Sequence, residues 1–303
     1  MQEIEIIYHG QDISAPVIKV GTGPKKVAVL NGLHGLEKSG ALLAQKVFQA
    51  LPMEGVEVHL IPFANVPSFK VNSRNTPSDS LDLNRVFPGN ENGTETQVMA
   101  HKIFEYLKGF DLVVDIHNFP KMKMPTVGVF FNAGSKEVKK LVLEYIYELG
   151  PDYIWNLDTS RDEKNKAGSL VESLLTAGVP AFALEAPDIE LVTKEQIKRL
   201  TDGFVKVIGA VVTKKFTANE RNQKIVERKF CLAKNDGIFE PKVEVGQDVS
   251  AGDEVGIIYD LESFLQNPVR AVETGVALFV LNNTCVTKGE RVAVIGKETG
   301  ISV

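Results

Sequence analysis

Sulfur is scarce in this chain, and what there is follows no pattern. Its two cysteines, Cys231 and Cys285, give no disulfide framework and no zinc-thiolate spacing. They read as plain core or surface residues of a reduced, cytoplasmic protein. Long apolar runs are also missing: none approaches the roughly 18 residues that a membrane span needs. The start, MQEIEIIYHG, lacks the basic residues and apolar stretch of a secretion signal. Positive charge is not in excess either. A net charge of −5 leaves no electrostatic footprint for nucleic acid. What remains is ordinary globular composition, 44% hydrophobic and 24% charged, in 303 residues, which suits one large domain plus a small one.

The apolar run Val27–Leu30 reads as a buried strand that leads into a glycine-punctuated loop, NGLHGLEKSG, and then a helix to about Leu51. His34 and Glu37 therefore sit at the carboxyl end of a strand, where open α/β sheets place their ligands. Asp111–His117, DLVVDIH, is a second buried strand, and it ends in His117. Two histidines and a glutamate with an open fourth position are the ligand set of a catalytic zinc site, although an HxxE by itself is a weak signal. Such ligands also accept cobalt or manganese. Asp115 shares a strand face with His117 and could orient an imidazole.

Between Pro62 and Gly93 lie about thirty aperiodic residues, a length that in compact domains is usually functional or disordered. This stretch carries Arg74 and LDLNRVFPG. Asn84 and Arg85 offer an amide beside a guanidinium fork suited to a carboxylate, and Arg74 could polarise a carbonyl oxygen. Surface ion pairing is the plain alternative for each arginine. Another apolar strand, VPAFALEAP, ends in Glu185, which is either a buried ion-pair partner or a base whose pKa burial raises. His9, His59 and His101 lack ligand partners in the pattern, and Trp155 reads as packing.

Strands are also expected at 3–20, at an edge of the sheet, and at Val56–Ile61 and Thr126–Phe131. Helices are expected at Thr94–Leu107, Lys136–Leu149, Gly168–Ala177 and Thr193–Val212, with Thr94 and Gln97 in capping-box positions. Alternating strands and helices argue for a doubly wound α/β domain over residues 1–222. Residues 223–303 change character to short, glycine-spaced strands. Gly237/Gly275, Val249/Val286, Gly252/Gly289 and Val255/Val292 recur at an offset of 37 or 38, which suggests a small pseudo-twofold sandwich or barrel.

The order His34-x-x-Glu37, Asp82-Leu83-Asn84-Arg85, Asp115-Ile116-His117 and Leu184-Glu185 resembles the succinylglutamate desuccinylase/aspartoacylase family over roughly residues 25–210. The resemblance implies an α/β, zinc carboxypeptidase-like doubly wound mixed sheet with a small C-terminal all-β, barrel-sandwich-like domain. It implies one Zn2+ per chain on His34, Glu37 and His117, with Arg74 polarising the scissile carbonyl. Asn84 and Arg85 would hold the substrate carboxylate, and Glu185 would serve as general base and then acid. The first motif reads His-Gly-Leu-Glu where many relatives have Asn before the Glu, which leaves the ligands intact. No acyl-recognising residue matches; Arg161 is the one candidate in its stretch.

The C-terminal repeat resembles biotinyl/lipoyl carriers, but its intervening segment Tyr259–Glu273 has no lysine to carry a group. The KMKM at 121–124 is similar to a biotin motif yet lies beside His117. The expected activity is hydrolysis of the acyl amide of a small N-acylated amino acid or related amine. A zinc carboxypeptidase acting on peptides, or a non-catalytic binding protein on the same scaffold, would use the same groups. No nucleic-acid or membrane partner is expected, and a homo-oligomer remains open.

Overall fold

The computed structural model describes residues 2–8, 11–48, 54–120, 122–157, 168–218 and 223–301. Arg161, the acyl-recognition candidate, and Lys121 lie outside them.

The central strands are the most apolar segments of the chain. Strands β3 (Thr22–Asn31), β4 (Glu54–Ile61), β5 (Leu112–Asn118) and β9 (Ala181–Ala186) pair in parallel in the order β4-β3-β5-β9. Every residue of β5 and β9 is buried, as strands covered on both faces must be. β1 (Gln2–Tyr8) and β2 (Gln11–Val20) form the expected antiparallel edge beside β4. On the other flank β7 (Val127–Phe131) runs antiparallel to β9 and parallel to β8 (Tyr153–Leu157). Helices α1 (Lys38–Phe48), α4 (Lys136–Leu149) and α6 (Lys194–Thr213) pack on one another against these strands. α3 (Glu95–Leu107) packs against β1, and α5 (Leu170–Thr176) against β9. The sheet is thus the doubly wound, mixed one expected. Among the described residues no helix is long and apolar enough to cross a membrane.

Strand β8 is absent from the sequence reading, because five residues between Asp152 and an unpatterned stretch give periodicity too little length. It links the two halves of the chain. β10 (Lys224–Leu232) pairs in parallel with β8. β17 (Arg291–Glu298), β15 (Gly275–Leu281) and β12 (Asp248–Val249) then continue the same sheet, and β6 (Met122–Lys123) joins β15, for thirteen strands. A second, four-stranded antiparallel sheet runs β14 (Gln266–Arg270), β13 (Glu254–Asp260), β11 (Gly237–Pro241), β16 (Thr284–Val286).

The internal repeat maps strand onto strand, with β11, β12 and β13 answering β15, β16 and β17. The copies exchange pieces: β12 pairs with β15 of the second copy, and β16 pairs with β11 of the first. The matched turns at Gly252 and Gly289 share φ values of 94° and 89°, a conformation that favours glycine. The repeat suggested a small sandwich or barrel; the interleaving of its two copies comes from this pairing.

Candidate metal centre and active-site cavity

His34 and Glu37 are held by the loop after β3, and the long 62–93 segment holds that loop. Asn65, fully buried, donates from Nδ2 to Thr76 Oγ1 (3.0 Å) and to Leu33 O (3.4 Å). Its backbone N–H reaches Gly32 O at 2.8 Å, and Gly35 N reaches Ser73 O at 2.9 Å. The loop must pass close to do this. A Cβ on Gly35 would stand 2.2 Å from Ser68 backbone atoms, so only glycine fits. The long segment is therefore an ordered brace, with a short helix α2 (Val66–Lys70) and a 3-10 turn at Leu83–Arg85.

The two imidazoles meet on one carboxylate. His34 Nδ1 lies 2.6 Å from Glu37 Oε1, and His117 Nδ1 lies 2.8 Å from Oε2. All three side chains are buried, and one ligand atom from each lies within 4.8 Å of the others. The far nitrogens are anchored as well. His117 Nε2 donates to Asp115 Oδ2 at 2.8 Å, and His34 Nε2 donates to Asp82 Oδ1 at 3.0 Å. A carboxylate behind each histidine fixes the tautomer whose Nδ1 lone pair faces inward, the arrangement that metal-binding histidines use. Asp115 and His117 stand two apart on β5 and so share a face. Asp82 is reached only through the fold, 48 positions from His34, and sequence reasoning gave it no such role.

These contacts set the charge states. Burial by itself would lower the pKa of His117, but the Asp115 and Glu37 carboxylates raise it well above its usual value. At His34 burial is again outweighed, by Glu37 and Asp82. Burial works to raise Glu37, yet both imidazoles hold it well below the usual carboxylate range. A cluster of two imidazoles and a carboxylate that needs protons to hold it together fits a divalent cation, which would take the place of those protons.

Glu185 lies directly beside His117, for the two are register partners on β9 and β5. Its Oε1 stands 3.8 Å from Arg228 Nη1, and its Oε2 has no hydrogen-bond partner among the described residues. Burial pushes its pKa up, against the opposing pull of His117 and Arg228. Arg74 is half-exposed and clamps Asp82 Oδ2 through Nε (3.0 Å) and Nη2 (2.8 Å). Asn84 accepts the N–H of Leu170 on Oδ1, which ties it to the start of α5, and Arg85 Nη1 donates to Asn84 O. All seven residues expected at the site thus line one cavity of about 140 Å³, ample for several waters or a small ligand.

The cavity also takes residues from the C-terminal strands, namely Arg228, Phe230 and Arg291. The Arg228 guanidinium lies over the indole of Trp155, so that tryptophan is a wall of the site as well as packing. Only the arginines within alternating strands hinted at this. His59, expected to lack a partner, binds Tyr106 Oη at 2.6 Å and Glu57 Oε1 at 2.5 Å, away from the cavity.

A mixed sheet with these ligand loops at its carboxyl ends is the carboxypeptidase-like α/β class. A metallo-carboxypeptidase from Burkholderia cenocepacia superposes with a TM-score of 0.53 at 14% identity, over 70% of this chain and 64% of that one. Residues 24–210 match the succinylglutamate desuccinylase/aspartoacylase catalytic domain, and the chain belongs to that family, whose members are deacylating hydrolases. It is 25% identical to the N-alpha-acetyl-L-2,4-diaminobutyric acid deacetylase of Halomonas elongata, over 94% of this chain and 85% of the relative. The product-bound ectoine utilization protein EutE (DoeB) from Ruegeria pomeroyi shares the fold with a TM-score of 0.79 at 21% identity, covering 97% and 93% of the two chains.

Proposed function

We propose that this protein is a zinc-dependent amidohydrolase that cleaves the acyl amide of a small N-acylated amino acid or related amine. The observation that carries this is a buried His34–Glu37–His117 cluster with Glu185 in register beside it. His34 Nδ1, His117 Nδ1 and the Glu37 carboxylate would hold one zinc, which supplies Lewis acidity and acidifies water when bound.

The chain's own groups do the rest. Asn84 and Arg85 hold the substrate carboxylate, which fixes the amide in the cavity. Glu185 Oε2 accepts a proton from the attacking water and returns it to the leaving amine nitrogen, a shuttle that suits a carboxyl raised by burial. Arg74, aimed by its Asp82 clamp, donates to the oxygen on which negative charge develops. Residues 1–222 supply these groups, and residues 223–303 close the cavity with Arg228, Phe230 and Arg291.

The small cavity favours a small substrate over a peptide, so deacylation is preferred to carboxypeptidase action. The open Glu185 oxygen favours an enzyme over a binding protein. Glu185→Gln tests this. With zinc still bound at one per chain, kcat should fall by about 10²–10⁴-fold. Near-full activity in that variant would overturn the role of Glu185.

A further inference from the structure

The cavity changes character across the sheet. Beside Glu185, Ala183 pairs with Val129, Val129 with Trp155 and Phe131 with Leu157, which gives an apolar floor three strands wide. Beyond that floor the C-terminal strands bring cations. Arg291 stands at the start of β17, with its guanidinium 4.4 Å from the centre of the Phe230 ring on neighbouring β10. It lines the same cavity as Arg74 and Arg85, although those two come from the 62–93 segment and Arg291 from the far end of the chain.

Like charges gathered at one mouth repel. Burial, Arg74 and Arg85 all work to lower the pKa of Arg291, and Glu185 only partly offsets them. Arg74 has Asp82, and Arg85 bonds to the Asn84 carbonyl, whereas Arg291 makes no ion pair among the described residues. The carboxylates on the described cavity wall are Glu37, Asp115 and Glu185, and each already has a task in the proposed reaction. A guanidinium fork that rests on an aromatic face and lines an open cavity is a receptor for a planar anion.

We propose that Arg291 is a specificity-determining residue that takes a second carboxylate of the substrate, apart from the one held by Asn84 and Arg85. This rests on the amidohydrolase reading. That second carboxylate can sit on the acyl group or on the amino-acid side chain; the chemistry Arg291 reads is the same.

The test uses the zinc-loaded full chain and three probes: N-acetyl-L-alanine, N-acetyl-L-glutamate and N-succinyl-L-alanine. At least one dicarboxylate probe should be preferred, and which one tells where the second carboxylate lies. In Arg291→Gln the preference, as a ratio of kcat/KM values, should fall about 10- to 100-fold, chiefly through KM. Arg291→Lys should restore part of it and guards against misfolding. An unchanged ratio in a folded Arg291→Gln protein overturns the proposal. Calorimetric binding of succinate against acetate separates this claim from the reaction itself. If the parent hydrolyses no probe yet binds succinate more tightly than acetate, and Arg291→Gln removes that difference, the amidohydrolase reading fails and the anion site stands. Equal succinate binding by parent and variant overturns the anion site.

Discussion

Asp82 is the residue through which the site is most open to a single-atom change. Its Oδ1 takes His34 Nε2–H and the backbone N–H of Asn84 (2.9 Å), and its Oδ2 takes two donors from Arg74. Burial opposes its charge, but His34, Arg74 and Arg85 hold its carboxyl well below the usual range. In Asp82→Asn one oxygen becomes an NH2 donor. Whichever way the amide turns, it faces a donor, either the His34 ring or the Arg74 fork. His34 then loses the partner that sets its tautomer, or Arg74 loses its aim. Losing a carboxylate behind a metal-binding histidine typically costs 10- to 100-fold in metal affinity, about 1.4–2.8 kcal/mol. Zinc affinity by chelator competition should drop within that range. With the amide turned the other way it is kcat at saturating zinc that should fall, because Arg74 is no longer aimed. Zinc affinity within twofold of the parent together with unchanged kcat would refute the account of Asp82.

Two further outcomes follow from the same structure. His34 and His117 both have raised pKa values without metal, so zinc must displace their protons. Uptake should therefore release protons, and affinity should climb with pH; calorimetry in buffers of different ionisation enthalpy reads this, and a pH-independent affinity without proton release would contradict it. Asp79 caps α3 from a distance, accepting Thr96 N at 3.0 Å and Thr96 Oγ1 at 2.6 Å. Asp79→Ala should cost about 1 kcal/mol in urea unfolding at neutral pH. Burial opposes the Asp79 charge, but bonds from Thr96 and from the Leu81 N–H lower its pKa. Its contribution is therefore complete well above the unfolded pKa and fades as pH falls through the lowered folded value, so parent and variant should converge in acid.

The residues proposed for the chemistry were legible because each ends an apolar strand or sits in a loop too long to be a mere connector. His117 and Glu185 show this best: buried strands leave few polar residues, and those at their ends stand out. Pairwise support was harder to see. Asp82 meets His34 only because the 62–93 segment folds back onto the β3 loop through Asn65. Arg228 and Arg291 looked like ordinary strand arginines of a separate module. They enter the cavity because β8, too short to announce itself, carries the sheet on into β10 and β17. The repeat was visible as paired glycines and valines, but not the exchange of β12 and β16 between its copies, which depends on pairing rather than on local pattern.

The most direct test of the central claim is amine release from N-acyl amino acids by the zinc-reconstituted protein, before and after removal of the metal by a chelator. The account predicts turnover of at least one acyl class, lost on chelation and regained with zinc. Release undiminished by chelation, or one zinc per chain with no release from any N-acetyl, N-succinyl or N-formyl substrate, would contradict it.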